Sequence, residues 1–192
     1  ADMQVAGKIG ALVVKGQVAN SSLSVVDDSD LRQNAVIEKL VLKEVSTVDV
    51  SVEGNIGLAK ADRWQSGSFT AEAMKNLKIN RTFSADLDLS GNLAGKDTLT
   101  NMSIGGNVYD SDWNIAGSIK SVSVKGTVND LILKVVDCES GQHDAAADKL
   151  IFADITAAVV SVDGDIEFIK ADTWSSGSLT AESINKSKLP EA

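Results

Sequence analysis

The sequence repeats itself over a long interval. Residues 50–72 return as residues 160–182 without a gap, which is a spacing of about 110 residues. Over the whole overlap, about 30 of about 75 aligned positions are identical, far more than chance gives. We therefore interpret the chain as one domain, built from a long repeat at 5–114 and an incomplete second copy at 115–189.

A shorter unit recurs inside the long repeat, with apolar residues at alternate positions and usually a Gly or Asn near the middle. It occurs six times, at 12–18, 50–56, 77–83, 102–108, 122–128 and 160–166. Alternation of apolar and polar residues predicts β-strands with one buried face. The glycines suit bends in the chain, where the backbone angle φ can be positive.

Units of this size cannot bury an apolar face alone, so they must stack on one another. The irregular spacing favours a right-handed parallel β-helix, a β-solenoid, of about 7–9 coils and roughly 35–45 Å in length. Its interior would hold Val14, Val52, Val124, Val162, Ile56 and Ile166. A β-sandwich, which also uses short alternating strands, is the alternative fold.

Three segments have less regular patterns. Residues 70–79 could form a helix, but their second copy is a poor helix former, and we predict strand–turn–strand. Residues 28–35 and 138–148 are polar, and we predict loops there.

Composition limits the function. The chain has 27 acidic residues against 18 Lys and Arg, a net charge of -9, which argues against nucleic acid and anionic membranes as partners. One cysteine, Cys138, and one histidine, His143, argue against a disulfide framework, a Cys or His metal site and His-dependent catalysis. Glu139 beside Cys138 is expected to raise the pKa of that thiol. We predict no cofactor and no catalytic residue.

Charged residues also recur. Lys15, Lys60 and Lys78 match Lys125, Lys170 and Lys188 in the second copy, but acidic residues outnumber them, so we interpret them as a solvated face. Paired acids lack the spacing of a calcium loop, and we interpret them as solvated carboxylates; the segment 27–30 is the nearest to a calcium site.

The motif Lys-Ala-Asp-x-Trp-x-Ser-Gly-Ser occurs twice, at 60–68 and 170–178. In one interpretation the tryptophans form an exposed row that stacks on sugar rings, while neighbouring aspartates bind hydroxyl groups. In the other, each ring covers the core at a corner of the chain, and its duplication records packing. The candidate glycan-binding residues are Trp64, Trp113, Trp174, Asp62 and Asp172.

The steps at 117–128 (Ser-Val-x-Val-x-Gly-x-Val) and 176–181 (Ser-Gly-Ser-Leu-Thr-Ala) resemble β-helix repeats of very large predicted surface proteins of planctomycete-type and related bacteria. The resemblance covers most of the chain. It implies a structural or adhesive role outside the cell or at its surface, and it carries over no catalytic residue.

The sequence therefore supports three functional hypotheses. The first is a non-catalytic structural or adhesive segment of a secreted or cell-surface bacterial protein. The second is a glycan-binding module using its tryptophans. The third is a polysaccharide-active enzyme, which would need an acid-lined groove. Expected partners are an extracellular glycan, another surface protein, or a second copy in head-to-tail contact. No apolar run approaches the length of a membrane span.

Overall fold

The computed structural model describes residues 1–26, 35–91, 97–138 and 144–190. These residues form 19 strands and no helix, so the described fold is all-β. None of them belongs to a helix long and apolar enough to cross a membrane. The first ten strands are β1 Asp2–Ala6, β2 Leu12–Val13, β3 Gln17–Val26, β4 Ala35–Ile37, β5 Leu40–Val41, β6 Glu44–Val52, β7 Asn55–Ala61, β8 Arg63–Trp64, β9 Gly67–Ala71 and β10 Ala73–Ile79. The others are β11 Asp86–Leu89, β12 Leu99–Ile104, β13 Val108–Ala116, β14 Ser118–Val136, β15 Ala146–Ile155, β16 Ala158–Val162, β17 Asp165–Trp174, β18 Gly177–Thr180 and β19 Ser183–Lys188.

Every strand pairing among the described residues is parallel. Parallel neighbours require the chain to travel back before it pairs again. Here the chain does so by curling round a common interior, which makes the fold solenoid-like and compatible with a parallel β-helix. The β-sandwich alternative is wrong, because its sheets would be antiparallel.

The pairings form two long ladders. The first ladder runs through β1, β3, β6, β9, β11, β13, residues 131–136 of β14, β16 and β18. The second runs through β2, β4 with β5, β7, β10, residues 99–104, residues 118–124 of β14, β15, β17 and β19. We call one strand of the first ladder and the following part of the second ladder a layer, and number the layers along the chain.

Inward side chains stack in columns, one residue from each layer. In the first ladder one column is Leu23, Val50, Phe69, Leu87, Trp113, Leu133 and Val160. In the second ladder it is Leu40, Ala59, Leu77, Met102, Val122, Leu150 and Ile169. All of these side chains are buried. Each large one contributes about 1.5–3 kcal/mol by leaving water, so the columns form one continuous core.

The predicted interior residues are largely confirmed. Val52, Val124, Val162, Ile56 and Ile166 are buried. Val14 is only partly buried, because it lies in the first layer and has neighbours on one side only.

A third column lies where the chain turns from one ladder toward the next. It consists of Val18, Val45, Trp64, Phe83, Val108, Val128, Ile155 and Trp174. Beside it the backbone bends at four residues with positive φ: Asn20, Thr47, Asp110 and Asp130. Three of these are Asn or Asp, the non-glycine residues that tolerate this conformation best. The bend lets one strand contribute to both the corner and the first ladder.

Strands of the two sequence copies occupy matching positions. β7 corresponds to β17, β9 to β18, and β10 to β19, in each case at the sequence spacing of the long repeat. The glycines that begin β9 and β18, Gly67 and Gly177, have nearly equal φ angles of 115° and 113°. Equivalent sequence therefore folds into equivalent backbone.

The strand–turn–strand prediction for residues 70–79 is confirmed by β9 and β10. The loop predicted at 138–148 is wrong at its end, because β15 begins at Ala146. Ala147 pairs with Ile119 and Ile166 on its two sides, and burial of this small side chain stabilises the strand despite its polar neighbours. Residues 139–143 of this predicted loop lie outside the described residues. So do residues 28–34 of the loop predicted at 28–35, the acids at 27–30 and His143.

Candidate functional site

Trp64 lies in the interior. It ends the short strand β8, between Val45 and Phe83 in the corner column, and only 1% of its surface is exposed. Its ring centre is 4.4 Å from that of Phe69, and its indole Nε1–H donates to the carbonyl oxygen of Ser66 at 3.1 Å. A buried indole needs such a partner for its one donor. The ring fills the corner and has no face open to a ligand.

Trp113 is buried still more completely. It stands in the first ladder between Leu87 and Leu133, with 0% exposure. Its Nε1–H donates to the carbonyl oxygen of Ala85 at 3.3 Å, and its ring centre is 6.0 Å from that of Phe83. Like Trp64, it therefore packs the core.

Trp174 is the second-copy equivalent of Trp64, and its surroundings differ. Its Nε1–H makes the same bond, to the carbonyl oxygen of Ser176 at 3.0 Å. It pairs with Ile155 on one side, and it is the last member of the corner column in the described part of the chain. Because one side of the ring is uncovered, Trp174 is half-buried.

The two candidate aspartates are also differently placed. Asp62 accepts a hydrogen bond from the side-chain amide of Asn80 at 2.5 Å and is half-buried. Asp172 is well exposed and forms an ion pair with Lys170, with 2.7 Å between carboxylate and ammonium. Asp172 and Trp174 therefore lie at the last end of the corner column, whereas Asp62 lies two residues before Trp64, the third of the eight members of that column.

The predicted row of exposed tryptophans is therefore wrong for Trp64 and Trp113. Both rings face inward, because alternation along their strands places them in the apolar columns. Of the five candidate residues, Trp174 and Asp172 remain accessible as a pair. What separates Trp174 from Trp64 is the number of layers that cover it, and not the local motif.

Two surface depressions were not predicted. One lies over the first layer, has a volume of about 410 Å³, and is lined mainly by apolar side chains that include Met3, Leu12, Val14 and Leu40. Met3, Leu12 and Val14 are exposed or half-buried because no described layer precedes them, whereas Leu40 lies in the second layer and is buried. The same side chains would be interior ones in the middle of the stack.

The other depression also has a volume of about 410 Å³, and carboxylates line it: Asp137, Asp144, Asp163, Asp165 and Glu182. The Asp137 carboxylate accepts a hydrogen bond from the backbone N–H of Ala145 at 2.7 Å. Within the described ranges, no group of three or more His, Cys, Asp or Glu side chains is arranged to hold a metal ion. These acids are spread over residues 137–182 of the sequence, and the stacking of layers brings them together.

Comparisons with known proteins found no match to any protein-family model, curated protein or solved structure. The function must therefore be inferred from the geometry of this chain.

Cys138 is buried, and its Sγ–H donates to the carbonyl oxygen of Gly91 at 3.3 Å. Burial raises the pKa of the Cys138 thiol, and the Asp137 carboxylate raises it further. The predicted rise in the pKa of Cys138 is thus found, and among the described residues it is caused by burial and by Asp137. Glu139, the cause that the sequence suggested, lies outside the described residues.

Because the thiolate is the reactive form, native Cys138 should react with a disulfide reagent at least about tenfold more slowly than the same thiol in urea. The rate of thiolate release at mildly alkaline pH measures this directly. Equal rates in the native and unfolded chain would show that Cys138 is accessible and its pKa ordinary.

Proposed function

We propose that this chain is a non-catalytic structural or adhesive segment of a secreted or cell-surface bacterial protein. The observation that carries the proposal is the continuous stack of buried columns with mainly polar and charged residues on the outer faces. Such a stack can act as a rigid spacer whose length is set by the number of layers. Planctomycete-type surface proteins with β-helix repeats are the proposed relatives.

We further propose a right-handed parallel β-helix with about nine coils. Nine residues stand in register from Met3 to Leu179 in the first ladder, one from each layer. At about 4.8 Å per layer the stack is roughly 40 Å long. Regular pairing over this distance supports a role in holding two attached elements apart.

The two ends of the stack support head-to-tail contact as one way in which such segments assemble. Met3 and Val13 are exposed in the first layer, and Ile184 and Leu189 are exposed at the last. β1 and β19 also present an unpaired strand edge in the described structure, and such edges can pair with another chain. An apolar contact of this kind should be insensitive to salt.

The location can be tested on intact cells of the source bacterium. We expect added protease to remove the protein from intact cells while a cytoplasmic marker protein survives. Immunodetection of both proteins, before and after lysis, gives the result. Protection of this protein until the cells are lysed would contradict the proposed location.

Glycan binding is a second candidate, favoured by the half-buried Trp174 beside the exposed Asp172. Aromatic rings at such positions can stack on sugars while the carboxylate binds hydroxyl groups. If the segment binds glycans there, Trp174→Ala should weaken binding on an array of extracellular polysaccharides at least about tenfold. Binding that Trp174→Ala leaves unchanged would assign adhesion to another surface.

A further inference from the structure

The outward charges are divided between the two ladders. We call the outward side chains of the first ladder the first face; it carries five aspartates and one lysine, namely Asp2, Asp49, Asp86, Asp88, Asp112 and Lys134. We call those of the second ladder the second face. It carries eight lysines, Lys60, Lys75, Lys78, Lys120, Lys149, Lys170, Lys186 and Lys188, against Asp148, Asp165 and Glu167. An acidic chain therefore has one distinctly basic face.

Four of the six lysines that recur in the sequence stand in one column. Lys60 lies directly beside Lys78, and Lys170 directly beside Lys188. Lys170 is engaged by Asp172, whereas Lys60 and Lys78 form no ion pair with any described residue. The interpretation as a merely solvated face missed this arrangement, because pairing register, and not sequence distance, makes these residues neighbours. Like charges at this spacing repel each other, so a partner of opposite charge would relieve the repulsion.

The first face carries a matching column of carboxylates. Asp86 and Asp112 are adjacent in it, and the backbone N–H of Asp112 donates to the Asp86 carboxylate at 2.9 Å. Adjacent members of either column are separated by the same distance, about 4.8 Å, because each advances by one layer. Two copies can therefore bring carboxylates and ammonium groups together without a mismatch in spacing.

Four outward apolar residues, three exposed and Val41 half-buried, fix how the two faces would match. On the first face Ile132 and Val159 follow Asp112, in the next two layers. On the second face Val13 and Val41 precede Lys60, in the first two layers. The order is acid, acid, apolar, apolar on one face and apolar, apolar, base, base on the other. The two orders are complementary when the copies run antiparallel.

We propose that the first face of one copy docks on the second face of another, with the two stacks antiparallel and offset by one layer. In this arrangement the matched pairs are Asp86 with Lys78, Asp112 with Lys60, Ile132 with Val41, and Val159 with Val13. In such a pair, one copy still has its acidic face free and the other still has its basic face free. The same contact can therefore add further copies. It produces side-by-side arrays, in contrast to the end-to-end contact described above.

The area available suits a reversible contact. A face about 40 Å long and about 16 Å wide buries about 600 Å² per partner, which is near the lower limit for specific complexes. Because the contact relies on exposed charges, salt should weaken it strongly. We therefore expect association in dilute buffer that is lost as salt is added.

Sedimentation velocity of the full chain, over a protein concentration series, tests the proposal. We expect association in about 20 mM salt that is at least about tenfold weaker in about 0.5 M salt. Reversing the basic column with Lys60→Glu and Lys78→Glu, or the acidic column with Asp86→Lys and Asp112→Lys, should each weaken self-association at least about tenfold. Ile184→Asp, at the end of the stack, is the matched control and should leave salt-sensitive association unchanged.

Mixing the variants tests the pairing of the faces. The Lys60→Glu, Lys78→Glu variant keeps its acidic face, and the Asp86→Lys, Asp112→Lys variant keeps its basic face. Neither variant should associate alone, whereas the two together should form a mixed complex in low salt, because the acidic face of one meets the basic face of the other and the two reversed faces also carry opposite charges. Such a complex also shows that both variants are folded.

Zero-length carbodiimide coupling tests the orientation. It joins a lysine amine to an aspartate carboxylate with loss of water only where the two are in contact. We expect coupled peptides of Lys78 with Asp86 and of Lys60 with Asp112, found by mass spectrometry in the dimer band. Within one copy these groups lie on different faces.

Several results would overturn the proposal. A single species of monomer mass at every concentration in low salt would do so, as would association that neither the reversals nor salt changes. A monomer that binds heparin, and loses it in the Lys60→Glu, Lys78→Glu variant, would instead assign the second face to a linear polyanion. Coupling confined to other pairs would exclude the antiparallel arrangement.

Discussion

Replacing Trp113 by alanine is expected to lower the free energy of unfolding by about 3–5 kcal/mol, because a large buried side chain is lost and a cavity remains. Trp113 has no exposed surface and lies between Leu87 and Leu133 in the first ladder. Its removal also leaves the carbonyl oxygen of Ala85 without its indole donor. Urea denaturation followed by far-ultraviolet circular dichroism measures the loss.

Trp174→Ala is the matched control, since it removes the same side chain where one side is open. We expect it to cost about 1 kcal/mol, closer to a surface substitution than to a core one. Because both variants lose the same type of side chain, a difference between their losses of unfolding free energy reflects the difference in burial. Equal losses for Trp113→Ala and Trp174→Ala would contradict the placement of Trp113 in a closed column.

Replacing Gly67 by alanine is expected to cost about 3–5 kcal/mol, through steric overlap and backbone strain together. A Cβ atom at Gly67 would lie 2.0 Å from the carbonyl oxygen of Val48 in the layer below. That oxygen belongs to the backbone of the paired strand β6 and cannot move without disturbing the ladder. The φ angle of 115° is in addition one that other residues rarely adopt.

Substitutions at two other glycines distinguish the effect of steric overlap from the effect of backbone strain. Gly16 has no atom within 4 Å of the added Cβ and no positive φ, so Gly16→Ala should be neutral or stabilise by about 0.4–1 kcal/mol. Gly7 also has open space but a φ of 98°, so Gly7→Ala should cost about 1–2 kcal/mol from strain alone. A Gly67→Ala variant as stable as Gly16→Ala would contradict the close stacking of β6 and β9.

Much of the architecture could be predicted from alternation alone. The units at 50–56, 102–108 and 122–128 have apolar residues at every second position on either side of a glycine, and those apolar side chains are in the core. Only 122–128 lies within one strand, because the other two units bend at the glycine and join two strands. Residues 70–79 could be predicted as strands because their second copy is a poor helix former. Local alternation is informative here because each strand has one face toward the core and one toward solvent.

The exposure of the tryptophans could not be predicted in the same way. Trp64 and Trp174 stand in the same motif and make the same indole hydrogen bond, yet one is closed in and the other is half open. The difference depends on whether a further layer covers the ring. Nothing in the motif records that.

The grouping of charges was equally hidden in the sequence. Asp86 and Asp112 are neighbours because β11 pairs with β13. The chain segment between these two aspartates differs in length from the segment between the neighbouring lysines Lys60 and Lys78. Layers of unequal length obscure any regular charge period. Register must be known before a basic or an acidic face can be recognised.

The stacking register is the central claim, and nuclear Overhauser contacts of the Trp113 indole ring test it most directly. In a chain with labelled methyl groups, we expect the ring to show contacts with the methyl groups of both Leu87 and Leu133, its neighbours in the layers before and after. Contacts with both residues would establish parallel layers in the register described. A ring that contacts neither, in a chain whose strands show the close Hα–Hα contacts of antiparallel pairs, would contradict the solenoid-like fold and the proposals that depend on it.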